Sequence, residues 1–354
     1  MGHGVELVGP SGVWSAQVQL RNAAVLGAGS WGTTVADLLA RRLPTVLWAR
    51  SEEVADEVRR SRTNRAYLGD HRLSRSLEAT ASLEEALEGR SLVVLAVPSH
   101  GLREVLKAGA VAVGEGAVVV SLTKGLEETT LARMTEIVAE CWPGRSVGVL
   151  TGPNLAGEIL AGQPAASVVA SVDAALAREL QRLFGSRSLR VYTNHDVVGC
   201  EVAGAAKNVM AIACGMAVGL GLGDNTRGAL VTRALAEMAR LGVALGGEPL
   251  TFSGLAGLGD LVATCTSRRS RNFAVGVALG EGRRLAEVLA GARTVAEGVR
   301  TCRPLVELAR RHGVEVPVAE QVVAVCHGGR SPRDSLPLLM HRAAKSEFEG
   351  VLSR

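Results

Sequence analysis

From Asn22 to about His195 the chain alternates between two textures. Short β-branched apolar runs are separated by longer stretches in which apolar residues recur at helical spacing. The strand candidates are Ala23–Gly27, Thr45–Trp48, Leu92–Val97, Ala117–Leu122, Val147–Leu150 and Ser167–Ala170, with "LRVYTNHD" (189–196) as one more short strand. Near-continuous apolar strands set between helices predict an α/β fold: a doubly wound parallel sheet covered on both faces. After Asp196 the strand-like runs fade, and Ala-, Leu- and Gly-rich helical stretches continue to the end. "VVGCEVAGAAKNVMAIACGMAVGL" (197–220) is apolar nearly all round, which predicts a helix buried on every side. The expected organisation is an extension without fixed structure over 1–20, an α/β sheet domain over 21–195, an all-helical domain over 196–345 and a frayed polar tail over 346–354.

Composition narrows the class. A length of 354 residues suggests about two domains. Hydrophobic residues make up 47% of the chain and aromatics only 3%, so the core must be built mainly from Ala, Val and Leu. The net charge of +4 is spread along the chain rather than gathered into a basic stripe with aromatics, which argues against nucleic acid as a partner. A few cations around a small anion fit better. The six cysteines include no CxxC pair and do not cluster with histidines, so no metal site is expected, and the thiols read as small buried groups in a reducing cytoplasm. No run of 18 apolar residues predicts a membrane span, and residues 1–20 lack the layout of a signal peptide.

The first apolar run ends in Gly27-Ala28-Gly29-Ser30-Trp31-Gly32, a GxGxxG sequence that leaves a strand and opens a helix. In that setting Gly27 allows the tight turn, Gly29 lets the backbone approach a pyrophosphate, and Gly32 lets helix pack closely on strand. The phosphates then meet free N–H groups at the helix start. The second strand ends in "VLWARSEE". Where an acidic residue would bind a ribose 2′-hydroxyl, the chain has Arg50, and a guanidinium suits a 2′-phosphate. The cofactor reading is therefore NADPH or NADH, leaning to NADP.

Three charged residues stand out as chemistry. Lys207 lies among small apolar residues in "EVAGAAKNVMAIA". A desolvated amine of this kind can pass a proton to or from a carbonyl oxygen; a salt bridge to Glu201 or Asp260 is the structural alternative. Gly204 shares its helix face and would leave space above it. Asp260 follows the glycines of "GLAGLGDLVATCTSRRSRN", where it could also serve as a helix N-cap. Thr264 lies one turn on, and Arg271 and Asn272 offer polar contacts to an anion. Lys124, in "VSLTKGLE", sits at the carboxyl end of a strand, where open α/β sheets bind ligands. In "LTGPNLAGEI", Gly152-Pro153 forces a turn, and Asn154 with Ala156 opens a helix toward the same crevice.

These segments together resemble the NAD(P)-dependent glycerol-3-phosphate dehydrogenases of the bacterial type. The resemblance rests on GAGSWGTT (27–34), WAR (48–50), AVPSH (96–100), LTKGLE (122–127), TGPNLAGEI (151–159), EVAGAAKNV (201–209), GLGLGDNT (219–226) and FSGLAGLGDLVATCTSRRSRN (252–272). It implies a Rossmann domain followed by a helical domain, with reversible reduction of dihydroxyacetone phosphate to sn-glycerol 3-phosphate between them, supplying phospholipid precursor. It implies Lys207 as proton donor or acceptor, paired with Asp260. It implies substrate contacts from Lys124, Gly152, Asn154, Asp260, Ser270, Arg271 and Asn272. Cofactor contacts would come from Ser30, Trp31, Arg50, Lys124, Ala156, Arg271, Val295 and Glu297. Two positions depart from the family pattern: Asn154 stands where Ser or Thr is usual, and Gly69 of "NRAYLGDHRL" where proline is usual. A homodimer is expected by analogy with other helical second domains. The rival readings are a two-domain β-hydroxyacid-type dehydrogenase with a related fold and a lysine acid, and a non-catalytic NADP-binding sensor, which explains GxGxxG and Arg50 but not Lys207, Asp260 and Arg271 together.

Overall fold

The computed structural model describes residues 19–290 and 296–340. The expected extension (apart from its last two residues), the tail and Val295 lie outside the described residues. Leu20, counted with the extension, is half-buried against the sheet.

Eight strands form one sheet: β1 (Ala23–Leu26), β2 (Thr45–Trp48), β3 (Leu77–Thr80), β4 (Leu92–Leu95), β5 (Val118–Ser121), β6 (Val147–Thr151), β7 (Ala165–Ala170) and β8 (Leu189–Asn194). Their order is β3-β2-β1-β4-β5-β6-β7-β8. β1 lies between β2 and β4 in parallel register, with Ala23 opposite both Thr45 and Leu92. Its side chains divide by parity. Ala23 and Val25 join the apolar layer under the helix Ser30–Ala40, while Ala24 and Leu26 join the opposite layer with Leu102, Ile137 and Trp142. A two-residue period with both faces buried produces the unbroken apolar runs in the sequence.

Two features of the sheet differ from expectation. β3 was not anticipated: "LEAT" carries Glu78, exposed on an edge strand that pairs only with β2. β7 runs antiparallel to β6, with Leu150 opposite Val169, and β8 then follows β7 in parallel. Periodicity reports burial but not strand direction, so this reversal leaves no trace in the pattern.

Beyond Asn194, every element among the described residues is helical. The helix Val197–Gly219 is central: every residue from Gly199 to Ala217 is buried. It is long and apolar enough to cross a membrane, but 89% of its most apolar window is covered by the protein's own helices and sheet. The helix Arg271–Gly280 packs on it through paired glycines. A Cβ at Gly215 would lie 2.2 Å from the Phe273 carbonyl oxygen, and one at Gly276 2.2 Å from that of Ile212. This close crossing fixes where the helix Arg271–Gly280 begins relative to Lys207.

Candidate active site

The glycine turn is built as the sequence predicts. Gly27 has φ +119°, and a Cβ there would lie 2.7 Å from the Ala96 backbone. A Cβ at Gly32 would lie 2.0 Å from the Gly27 carbonyl oxygen. Gly29 is different. It meets nothing within 4 Å, and it heads the helix Ser30–Ala40 with no side-chain cap and no acidic residue in the first turn. Open space thus lies over uncapped N–H groups at the positive end of a helix, which suits a pyrophosphate. The Trp31 indole N–H beside it is buried without a partner among the described residues. Such an orphan donor costs about 1–3 kcal/mol until an acceptor arrives. Ser30 donates to the Tyr67 carbonyl at 3.2 Å. Asn64, which the sequence reading quoted but did not single out, braces the turn from below by donating to the Ala28 carbonyl at 2.9 Å and to the Thr33 hydroxyl at 2.8 Å. Arg50 follows β2, is exposed, and makes no hydrogen bond or ion pair among the described residues. These residues fit a dinucleotide.

The carboxyl ends of β5 and β6 carry the chemistry. Thr123 Oγ1 donates to the Val97 carbonyl at 2.8 Å, which anchors the segment leading to Lys124. Lys124 Nζ then donates to the Gly152 carbonyl at 2.9 Å and to Asp260 Oδ2 at 2.6 Å. Gly152 sits just past β6 with φ +113°. Opposite, Lys207 Nζ donates to Thr264 Oγ1 at 2.8 Å and lies 3.1 Å from Asp260 Oδ1. One carboxylate therefore holds two ammonium groups, one on each oxygen. A five-residue π-helical turn, Leu255–Gly259, delivers Asp260 to this position. Within it a Cβ at Gly257 would lie 2.1 Å from the Phe252 carbonyl oxygen, so the turn needs glycine. Such wide turns recur at functional sites.

Electrostatics follow from burial. Asp260 is 2% exposed. Burial alone would raise its pKa, but Lys124 and Lys207 outweigh that and hold it below the usual carboxylate range. Burial brings the Lys124 amine down to about 8, with Asp260 opposing the shift and the Lys207 charge adding to it.

Several expectations are refined. The space above Gly204 is filled: a Cβ there would lie 3.3 Å from Thr151 Oγ1 and 3.4 Å from Lys124 Cγ, so the glycine makes room for the Lys124 stem. Glu201 does not reach Lys207; it accepts from Arg133 at 2.7 Å and from the Thr135 hydroxyl at 2.6 Å. Asp260 is not a side-chain cap, since no cap bond is made at the start of the helix Asp260–Thr266. Ser270 is the cap of the next helix, Arg271–Gly280, accepting from Phe273 N at 3.3 Å, and Arg271 is exposed at that helix start. Asn272 is buried with both ends of its amide engaged: Nδ2 donates to Asn208 Oδ1 at 2.9 Å, and Oδ1 accepts from Gly298 N at 2.9 Å. Its free group toward an anion is the backbone N–H. Glu297 accepts from Ser99 Oγ at 2.5 Å, joining the loop after β4 to the helix Glu297–Arg311. Ala156 opens the helix Ala156–Leu160, and Asn154 in the preceding loop accepts from Ser167 Oγ at 2.5 Å. Asn208 and Ser167 were not singled out from the sequence. Each is a polar residue in an apolar run, which was the available signal.

A dinucleotide cradle after β1 and a proton-handling cluster beside β5 and β6 define a nicotinamide-dependent oxidoreductase of the two-part Rossmann type. Comparison with known proteins gives the branch. The family models described as NAD-dependent glycerol-3-phosphate dehydrogenase N-terminus and C-terminus match residues 22–177 and 196–337, and the chain belongs to that family. It is 51% identical over 310 residues to "Glycerol-3-phosphate dehydrogenase [NAD(P)+] 2" of Sphingopyxis alaskensis, covering 88% of this chain and 93% of that one. It is 48% identical over 337 residues to the glycerol-3-phosphate dehydrogenase [NAD(P)+] of Mycobacterium avium, covering 95% and 99%. The crystal structure of glycerol-3-phosphate dehydrogenase from Coxiella burnetii superposes with a TM-score of 0.88 at 36% identity, covering 91% and 99%.

Proposed function

We propose that the protein reversibly reduces dihydroxyacetone phosphate to sn-glycerol 3-phosphate with NADPH or NADH, in the cytoplasm, supplying glycerol 3-phosphate for phospholipid synthesis. The observation that carries this reading is the Lys124–Asp260–Lys207 cluster, which ties the carboxyl ends of β5 and β6 to the central helix. The division we propose is a dinucleotide-binding domain over 21–195 and a helical substrate domain over 196–345, of which 291–295 and 341–345 lie outside the described residues. The assembly we propose is a homodimer.

When bound, the reduced nicotinamide supplies a hydride to C2 of the ketone. Negative charge then develops on the C2 oxygen. An ammonium carries three protons. Thr264 and Asp260 occupy two directions around Lys207 Nζ, and the third proton goes to the substrate oxygen. In the reverse direction Lys207 takes it back. Asp260 and Thr264 hold the amine in place, and such proton transfer contributes about 10²–10⁴-fold. Lys124 brings a second positive charge to the reacting oxygen. Arg271, with the N–H groups at the start of the helix Ser270 caps, holds the substrate phosphate, and Asn272 adds its backbone N–H. Gly152 and Asn154 line the substrate loop. That distant grip on the phosphate keeps C2 in line. Gly27, Gly29, Ser30, Trp31, Gly32, Ala156, Lys124, Arg271 and Glu297 would hold the dinucleotide, and Val295, outside the described residues, is assigned to it by the family resemblance alone. Arg50 takes a 2′-phosphate, so NADPH is preferred.

The test is the loss of reduced-cofactor absorbance on adding dihydroxyacetone phosphate, with NADPH and NADH in turn. Turnover that requires the phosphorylated ketone supports the reading. Equal or better turnover of unphosphorylated keto acids moves the protein to the β-hydroxyacid type.

A further inference from the structure

Asn154 lies in the loop beside Gly152, and the structure pairs it with a second polar residue. The Asn154 side chain accepts through Oδ1 from Ser167 Oγ at 2.5 Å, and its Nδ2 is buried with no partner among the described residues. Ser167 lies in β7, is 0% exposed, and makes no other side-chain hydrogen bond among the described residues. Its neighbours in "AASVVA" are apolar. The strand backbone at Ser167 lies directly against the substrate loop: a Cβ at Gly152 would fall 3.3 Å from Ser167 Cα. The Gly152 carbonyl in turn accepts from Lys124. The serine, the asparagine and the catalytic cluster are thus tied through one short loop.

The hydrogen-bond inventory fixes the direction of the amide. A serine hydroxyl has one proton to give, and an asparagine amide has an acceptor end and a donor end. With Oδ1 toward Ser167, the hydroxyl proton has an acceptor and the two amide protons remain for another group. With the amide reversed, Nδ2 would donate to Ser167, the serine proton would be stranded in an apolar strand, and a carbonyl oxygen would face the anionic substrate. A buried proton without an acceptor is the costlier arrangement.

We propose that Ser167 is a positioning residue for the substrate site: it locks the Asn154 amide with its N–H donors presented to an oxygen of the phosphorylated substrate. A Ser or Thr at position 154 carries a hydroxyl that rotates to suit its acceptor and needs no such lock; an asparagine does. Ser167 is the companion that makes the asparagine serviceable. This inference rests on the proposed activity.

The experiment is a double-mutant cycle on steady-state kinetics with dihydroxyacetone phosphate and saturating reduced cofactor, using the wild type, Ser167→Ala, Asn154→Ser and both together. Ser167→Ala frees the amide to rotate. Its KM for dihydroxyacetone phosphate rises about 10-fold, as for the loss of one well-placed hydrogen bond. Its kcat stays within about 2-fold and the KM for the cofactor is unchanged. In the Asn154→Ser background the same Ser167→Ala change has no effect on KM. A merely structural role for Ser167 would instead act equally in both backgrounds. An unchanged KM for Ser167→Ala, or an equal rise with Asn and with Ser at 154, overturns the proposal. If the wild type itself does not reduce dihydroxyacetone phosphate, the assigned activity fails rather than the positioning role.

Discussion

Replacing Asp260 by Asn removes the one anion that two buried ammonium groups share. Stripping the partner from a buried ion pair costs about 3–5 kcal/mol when the remaining charge is left in place. Here the protein has a cheaper escape. The Lys124 pKa is already down to about 8, so at pH 7 its neutralisation costs on the order of 1 kcal/mol. Asp260→Asn therefore takes that route: Lys124 gives up its proton, which contributes about 1–2 kcal/mol to the loss at pH 7, and Lys207 is left without its anion. The sign of the pH dependence follows. Below pH 8 the wild type binds a proton that the variant does not, so the gap widens by about 1.4 kcal/mol per pH unit as pH falls, up to the 3–5 kcal/mol limit. Above pH 8 Lys124 is neutral in both proteins, and the gap levels off at what the unpaired Lys207 costs. Thermal melts should show a Tm deficit that is smallest and level above pH 8, larger by a few degrees at pH 7, and larger again at pH 6. Turnover should fall at least about 10²-fold, because Lys207 loses its orienting anion and the second positive charge is gone. A stability gap that is flat from pH 6 to pH 9 would refute the two-ammonium reasoning.

Other outcomes follow from the same geometry. Gly29→Ala places a methyl in open space at an unstrained φ, so the melting temperature holds while the Kd for NADPH, read by fluorescence titration, rises at least about 10-fold; Gly32→Ala, 2.0 Å from the Gly27 oxygen, lowers stability itself. Equal effects of the two would remove the pyrophosphate from Gly29. Arg50→Ala should weaken NADPH more than NADH, and equal weakening would count against a 2′-phosphate contact. Glu237 is wholly buried, accepts from Val318 N at 2.9 Å and, more weakly, from Ala319 N, and has its pKa pushed up to about 7 by burial. Its folded value lies above its unfolded one, so its contribution is full below about pH 4.5 and lost as pH rises through about 7, a change of about 3 kcal/mol. Urea unfolding at pH 5 and pH 8 should show that slope flattened in Glu237→Gln, and an unchanged slope would remove Glu237 as its source.

What the sequence made legible was whatever burial and backbone sterics write locally. The glycine turn was readable because Gly27, Gly29 and Gly32 each answer a separate steric demand at a strand-to-helix junction. The central helix was readable because it is apolar on every face. Lys124, Lys207 and Asp260 each stood out as charges among apolar or glycine-rich neighbours. Their wiring did not. Lys207 was paired with Asp260 from the sequence, but the shorter contact to that carboxylate, 2.6 Å against 3.1 Å, comes from Lys124, 136 positions away. Nothing local encodes such a meeting. The same holds for Asn272, whose amide is spent on Asn208 and Gly298, and for Gly215 and Gly276, which look like helix-weakening residues until the two helices are seen crossing through them. Strand β3 escaped because an edge strand with one face in solvent carries a Glu where the central strands carry Val.

The central claim is that the Lys207 amine moves the proton that accompanies hydride transfer. Its most direct test is steady-state turnover of Lys207→Ala with dihydroxyacetone phosphate at saturating NADPH. Lys207→Ala should turn over with a kcat at least about 10²-fold below wild type; turnover within a few-fold of wild type would mean that another group moves the proton.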